Sequence, residues 1–238
     1  MTATRAGFLM GALLCGAFAL HGEVLDKSRT ILGLKVEYKV VLPDHYDPAR
    51  AYPGILAFGG GAQEMDMVNT DVRLTWRADS ERRGYIAVEP AAPDGELFFQ
   101  GGERVFPEFL KQLLSEYKIL NNKFHIAGHS NGGISAFHVA ALYPQYFTSI
   151  TGFPGYLIDA TPERLKAISK MCIYMYAGEL DHEWSREMQV QSRQFEKMGM
   201  SVKTAEEKGQ PHRILTLTGD GAGRLFDQFE EARKGCAN

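Results

Sequence analysis

The stretch Lys123-Phe124-His125-Ile126-Ala127-Gly128-His129-Ser130-Asn131-Gly132-Gly133 constrains the chain more than any other. A short apolar run enters Gly-His-Ser-Asn-Gly, and an apolar pattern of helical spacing leaves it. A G-x-S-x-G sequence set between a strand and a helix holds its serine on a tight, strained turn. Side chains two residues to either side of that serine would strike the strand or the helix, so Gly128 and Gly132 carry none, and Gly133 lets the helix pack close. Ser130 is then presented at a helix N-terminus, where unpaired N–H groups and the helix dipole favour developing negative charge.

The rest of the chain supplies a sheet around this turn. In the segment 31–42, Val36, Tyr38, Val40 and Leu42 alternate with Lys35, Glu37 and Lys39, which predicts a strand with one wet face at an antiparallel edge. Gly54 to Phe58, Tyr85 to Val88, Phe147 to Phe153 and Met171 to Ala177 are continuous apolar runs, as strands covered on both faces require. Helical patterns fall at 71–83, at 103–117 with Val105, Phe109, Leu110, Leu113 and Leu114 on one stripe, around 161–169, at 183–198, and at the C-terminal end. A last strand is expected from Val202 to Ala205. Strand and helix alternate to the end, so the expected fold is a doubly wound, mostly parallel α/β sheet with antiparallel N-terminal edge strands. The short span between Phe153 and Met171 leaves no room for a large lid domain.

Residues 1–22 read differently from the remainder. Arg5 precedes an uncharged apolar core, Ala6 to Leu20, too short to span a bilayer comfortably but matching a secretory signal peptide, with Ala17-Phe18-Ala19 as a cleavage site. An uncleaved N-terminal anchor and a lipoprotein at Cys15 are the alternatives, the second weakened by bulky Leu14. The expectation is a signal peptide over 1–22, a single domain over 23–238, export to the periplasm or beyond, and no stable membrane insertion after cleavage. Cleavage leaves Cys172 and Cys236, whose pairing an oxidising compartment permits and sequence leaves open. With 26 basic and 29 acidic residues and no run of like charge, nothing points to nucleic acid. No Cys/His spacing suits a metal.

A serine hydroxyl needs a base beside it, and the base needs a carboxylate to hold its tautomer. In a sheet of this kind the order along the chain is serine, acid, histidine. Of seven histidines, His21 lies in or beside the signal peptide, His45 precedes the sheet core, His125 and His138 fall inside elements, and His129 is set aside because neighbouring side chains at the turn diverge. His182 directly follows the best acid, leaving His212, on the loop Gly209-Gln210-Pro211-His212, as the base. Asp181, three residues past Gly178, is the acid, with Glu179 in reserve. The Asn131 amide and the loop at Gly60 and Gly61 are the candidate oxyanion donors, while Phe98, Phe99 and Trp184 are candidate walls of an apolar or aromatic pocket.

These residues resemble the α/β-hydrolase superfamily, particularly secreted esterases of the polyhydroxybutyrate-depolymerase and feruloyl-esterase type. Tyr38 to Pro43, Tyr52-Pro53-Gly54, Gly84-Tyr85 with Pro90, Gly128 to Gly133, Tyr143-Pro144 with Phe147, Gly178 with Asp181, and His212 carry the likeness. The resemblance implies a Ser130–Asp181–His212 triad, a small-molecule ester substrate, and no cofactor or metal. Phe58-Gly59 stands where such esterases usually have His-Gly, and polymer-binding modules are missing. A prolyl-oligopeptidase-like peptidase and a catalytically silent binding protein are the rival expectations.

Overall fold

The computed structural model describes residues 21–236, so the signal-peptide reading of 1–22 lies outside the described residues except at its last two positions. Among the described residues one sheet has eight strands: β1 (Glu23–Ile31), β2 (Leu34–Leu42), β3 (Tyr52–Phe58), β4 (Ile86–Pro90), β5 (Ile119–Gly128), β6 (Phe147–Gly152), β7 (Cys172–Gly178) and β8 (Val202–Glu207). Its spatial order is β1-β2-β4-β3-β5-β6-β7-β8. β1 and β2 are antiparallel, β2 lies antiparallel to β4, and every pairing from β4 onward is parallel.

The central strands bury both faces, and period-2 alternation sorts them into two cores. Leu56 and Phe58 of β3 face a core with Phe106, Phe109, Phe137 and Phe195, supplied by α3 (Phe106–Glu116), α4 (Asn131–Leu142) and α6 (His182–Lys197). Ile55 and Ala57 face the opposite core with Trp76, Tyr85, Phe226 and Phe229. That second layer is built by α1 (Met65–Asp71), a π-helical turn Val72–Trp76, α2 (Arg77–Arg83) and α7 (Gly223–Arg233). Between β6 and β7 the chain holds a single short helix, α5 (Pro162–Ile168). This is the doubly wound sheet without a large lid that the sequence predicts.

The expected single strand over 31–42 is a hairpin instead. The chain reverses at Leu32 and Gly33, at φ 52° and 81°, and β1 runs back along β2 to Glu23. Leucine is a poor signal for a left-handed turn residue, so nothing local announces the reversal. The helix expected at 71–83 begins six residues earlier and widens into the π turn, burying Asp71, Thr75 and Trp76. Cys172 in β7 and Cys236 beyond α7 are joined by a disulfide, a pairing that spacing alone leaves open.

Candidate active site

Ser130 stands between β5 and α4 at φ 56°, ψ −126°, a conformation an L-residue adopts only when its surroundings enforce it. They do so here. The Ser130 amide donates to the Pro154 carbonyl at 2.8 Å, and a Cβ on Gly132 would come within 2.0 Å of the Phe58 carbonyl oxygen. As the first residue of α4, Asn131 has an N–H with no partner in the helix's own ladder.

The loops after β7 and β8 approach this turn as a unit. Gly178 lets them touch, since a Cβ there would lie 2.2 Å from the Pro211 carbonyl. Leu180 N–H donates to the Gln210 carbonyl, and Glu179 N–H to the Glu207 carbonyl. Glu207 is in turn held by two bonds from Arg224, at 2.7 and 2.8 Å, and one from Thr216 Oγ1 at 2.7 Å. The Arg224 guanidinium lowers the Glu207 carboxyl below the usual carboxylate range. Glu179, the reserve acid, accepts Gly209 N–H at 2.7 Å and so braces the histidine loop.

This docking brings three side chains together. Ser130 Oγ lies 2.8 Å from His212 Nε2, and His212 Nδ1 lies 2.6 Å from Asp181 Oδ2. With Nδ1–H donating to the carboxylate, the Nε2 lone pair faces the serine hydroxyl and accepts its hydrogen bond. The Trp184 ring stands edge-on to His212, its centroid 4.9 Å away, and Tyr156 meets Trp184 at 5.1 Å. Phe98 is fully buried between Phe58 and Phe106, so it belongs to the core and walls no pocket. Phe99 is half-buried in the turn that follows β4.

The Gly59–Gly61 loop lies over the same end of β3. Gly61 O accepts from Asn131 Nδ2 at 2.8 Å, and Gly60 O accepts Gln63 N–H. Gly60 N faces His129 Nε2 at 3.2 Å, and the same ring nitrogen lies 2.8 Å from Asp71 Oδ2. His129, set aside on the sequence, thus meets the loop. Its partner Asp71 is 58 residues away at the mouth of the π turn, and no spacing rule links the two. Behind Asp71 is Glu89, 1% exposed, whose oxygens have no partner at hydrogen-bond geometry. Burial, reinforced by the Asp71 carboxyl, raises Glu89 well above the ordinary carboxylate range. Among the described residues no group of side chains is arranged to hold a metal ion, and no helix is long and apolar enough to cross a membrane.

No family model matches the chain, and no curated protein is similar to it in sequence. Solved structures are similar in fold. A thermostable esterase superposes with a TM-score of 0.66 at 18% identity, over 89% of this chain, which spans 61% of that protein's length. A ferulic acid esterase gives 0.66 at 15% identity, over 90% of this chain and 99% of the other. Esterase 2 of Thermogutta terrifontis, phosphorylated by paraoxon, gives 0.66 at 14% identity over 90% and 96%. With its sheet order, its two antiparallel edge strands and its serine turn between β5 and α4, the chain has the α/β-hydrolase fold.

Proposed function

We propose that this protein is an exported serine hydrolase that cleaves carboxylic esters through Ser130, His212 and Asp181. The observation that carries the reading is the unbroken hydrogen-bonded line from Ser130 Oγ through His212 to Asp181. His212 Nε2 takes the serine proton as Oγ attacks the ester carbonyl, and Asp181 stabilises the imidazolium that forms. The tetrahedral oxyanion is held by the Asn131 N–H and an amide of the Gly60–Gly61 loop. His212 returns the proton to the departing alcohol, and water, activated by the same ring, hydrolyses the acyl-enzyme.

Structures of the same fold include several esterases and one protein named as a dipeptidyl aminopeptidase IV, and the predominance of esterases makes esters the first substrates to test against amides. The aromatic edge made by Trp184 and Tyr156 beside His212 makes esters of aromatic acids the first to try. The apolar segment Ala6–Leu20 and the Cys172–Cys236 bridge favour export to an oxidising compartment.

A fluorophosphonate probe tests the nucleophile. The folded wild type should be labelled and Ser130→Ala should not. A folded wild type that stays unlabelled would instead mark a silent binding protein. A panel of p-nitrophenyl esters run beside aminoacyl amides separates esterase from peptidase, and faster turnover of the amides would overturn the ester assignment.

A further inference from the structure

The cluster of His129, Asp71 and Glu89 has no part in the proton transfers just described, yet it lies directly beneath the loop assigned to the oxyanion. A Cβ on Gly59 would come within 3.2 Å of both Asp71 Oδ2 and Glu89 Oε1, and one on Gly60 would strike the His129 ring at 2.7 Å. The loop therefore packs directly against the imidazole and both carboxyls. Asp71 and Glu89 are almost fully buried.

The geometry poses a choice at one atom. His129 Nε2 faces both the Gly60 N–H at 3.2 Å and Asp71 Oδ2 at 2.8 Å. A ring nitrogen carries either a hydrogen or a lone pair. If Nε2 carries the hydrogen, it donates to Asp71 and the Gly60 amide is left for another acceptor. If Nε2 is bare, its lone pair takes up the Gly60 N–H, and that donor is withdrawn. The contact to Asp71 is the shorter, and a bond to a carboxylate is about twice as strong as one between neutral groups.

We propose that Asp71 and Glu89 act through His129 as positioning residues for the oxyanion loop: ionised Asp71 keeps the hydrogen on His129 Nε2, and Glu89, holding its proton, sets no second charge beside Asp71, so that the Gly60 N–H is free to receive the oxyanion. The inference rests on the serine-hydrolase reading above and specifies how its oxyanion site is controlled. Two adjacent buried carboxyls cannot both ionise cheaply, so one holds its proton. The upward displacement of Glu89 agrees with its being that one. The groups bearing on this pair are Asp71 closing α1, the Trp76 indole in the π turn and His129 on the serine turn, while Lys39 of β2, opposite Glu89 in the sheet, is taken up by Asp26. Arg213 lines the small cavity that Asp71, Thr75, His129 and Thr218 share. A π turn that carries Trp76 and is preceded by Asp71 at its N-cap fits the frequent placement of such irregular turns at functional sites.

The proposal predicts a loss as pH rises and Glu89 gives up its proton, which sets two negative charges side by side. The loss should fall on kcat rather than KM, because the oxyanion forms only during reaction.

Nitrogen-15 NMR of histidine-labelled wild type reads the tautomer directly. His129 protonated on Nε2 at neutral pH is expected, and a bare Nε2 with the hydrogen on Nδ1 overturns the proposal whether or not any variant folds. In kinetics, Asp71→Asn should lose roughly 10²-fold in kcat with KM little changed, the loss seen when one oxyanion donor is removed. Glu89→Gln, which is neutral and cannot ionise, should flatten the alkaline limb of kcat. An unaltered alkaline limb in folded Glu89→Gln, or unaltered kcat in folded Asp71→Asn, overturns it. Fluorophosphonate labelling of Ser130 separates the two levels: loss of labelling sinks the hydrolase reading, whereas labelling with these pH profiles unchanged sinks only the role of the cluster.

Discussion

Single residues differ sharply in how far the sequence betrays them. Ser130, Asp181 and His212 are legible because each stands at a strand end marked by glycine or proline, in the order a doubly wound sheet imposes. His129 is not legible, since its significance comes from Asp71, and only the folded π turn aims that carboxyl at it. Phe98 misled in the opposite sense, because an aromatic in an irregular segment looks the same in sequence whether it lines a pocket or fills a core. His125 shows a different residue-scale effect. Buried in β5, it bonds Ser149 at 2.7 Å and stacks on Phe229. Burial, with Arg233 adding to it, lowers its pKa from 6.5 to about 3. The unfolded chain therefore takes up a proton before the folded one does. The neutral ring's contribution to stability is whole above pH 6.5 and is lost as pH falls from there towards 3. Urea unfolding at pH 7 and 4.5 should show the wild type losing roughly 2–3 kcal/mol more than His125→Asn over that interval.

At the scale of elements, two loops and a helix make the histidine available. The β8 loop has no regular hydrogen-bonding pattern of its own. It is fixed by Gly178 against Gln210 and Pro211 and by Arg224, from the first turn of α7, clamping Glu207. Arg224→Met should leave the sheet intact, cost about 1 kcal/mol in stability because the arginine is half exposed, and lower kcat by loosening His212. Thermal melting beside ester kinetics measures both, and the stability difference should shrink in acid as Glu207 is protonated in either protein. Periodicity recovers the helices and central strands because each has one consistent face to bury. It fails at the β1–β2 reversal, where the turn residues are Leu32 and Gly33, and at the π turn, whose irregularity answers to buried Asp71 and Trp76 rather than to a stripe.

At the scale of the whole molecule, two cores share one sheet, and the alternation of Ile55 and Ala57 with Leu56 and Phe58 assigns each side chain to its layer. That much is legible from apolar runs alone. The bridge between Cys172 and Cys236 is not, because the sulfurs are 64 residues apart and only the folded sheet carries the chain end back to β7. Removing the bridge frees a loop of that length in the unfolded chain, so Cys236→Ser should cost about 2–4 kcal/mol and lower the melting temperature accordingly. The bridge also has a local consequence. Chain ends ordinarily fray, and a terminal helix exchanges its amide hydrogens by peeling away without the rest of the fold opening. Here α7, the last helix among the described residues, completes the second core with Phe226 and Phe229, and a covalent bond beyond its last turn fastens it to β7, an interior strand of the sheet. Its amides should exchange only when the sheet itself opens, so that oxidised protein protects α7 as strongly as β7, and reduction turns the helix into the first part to let go.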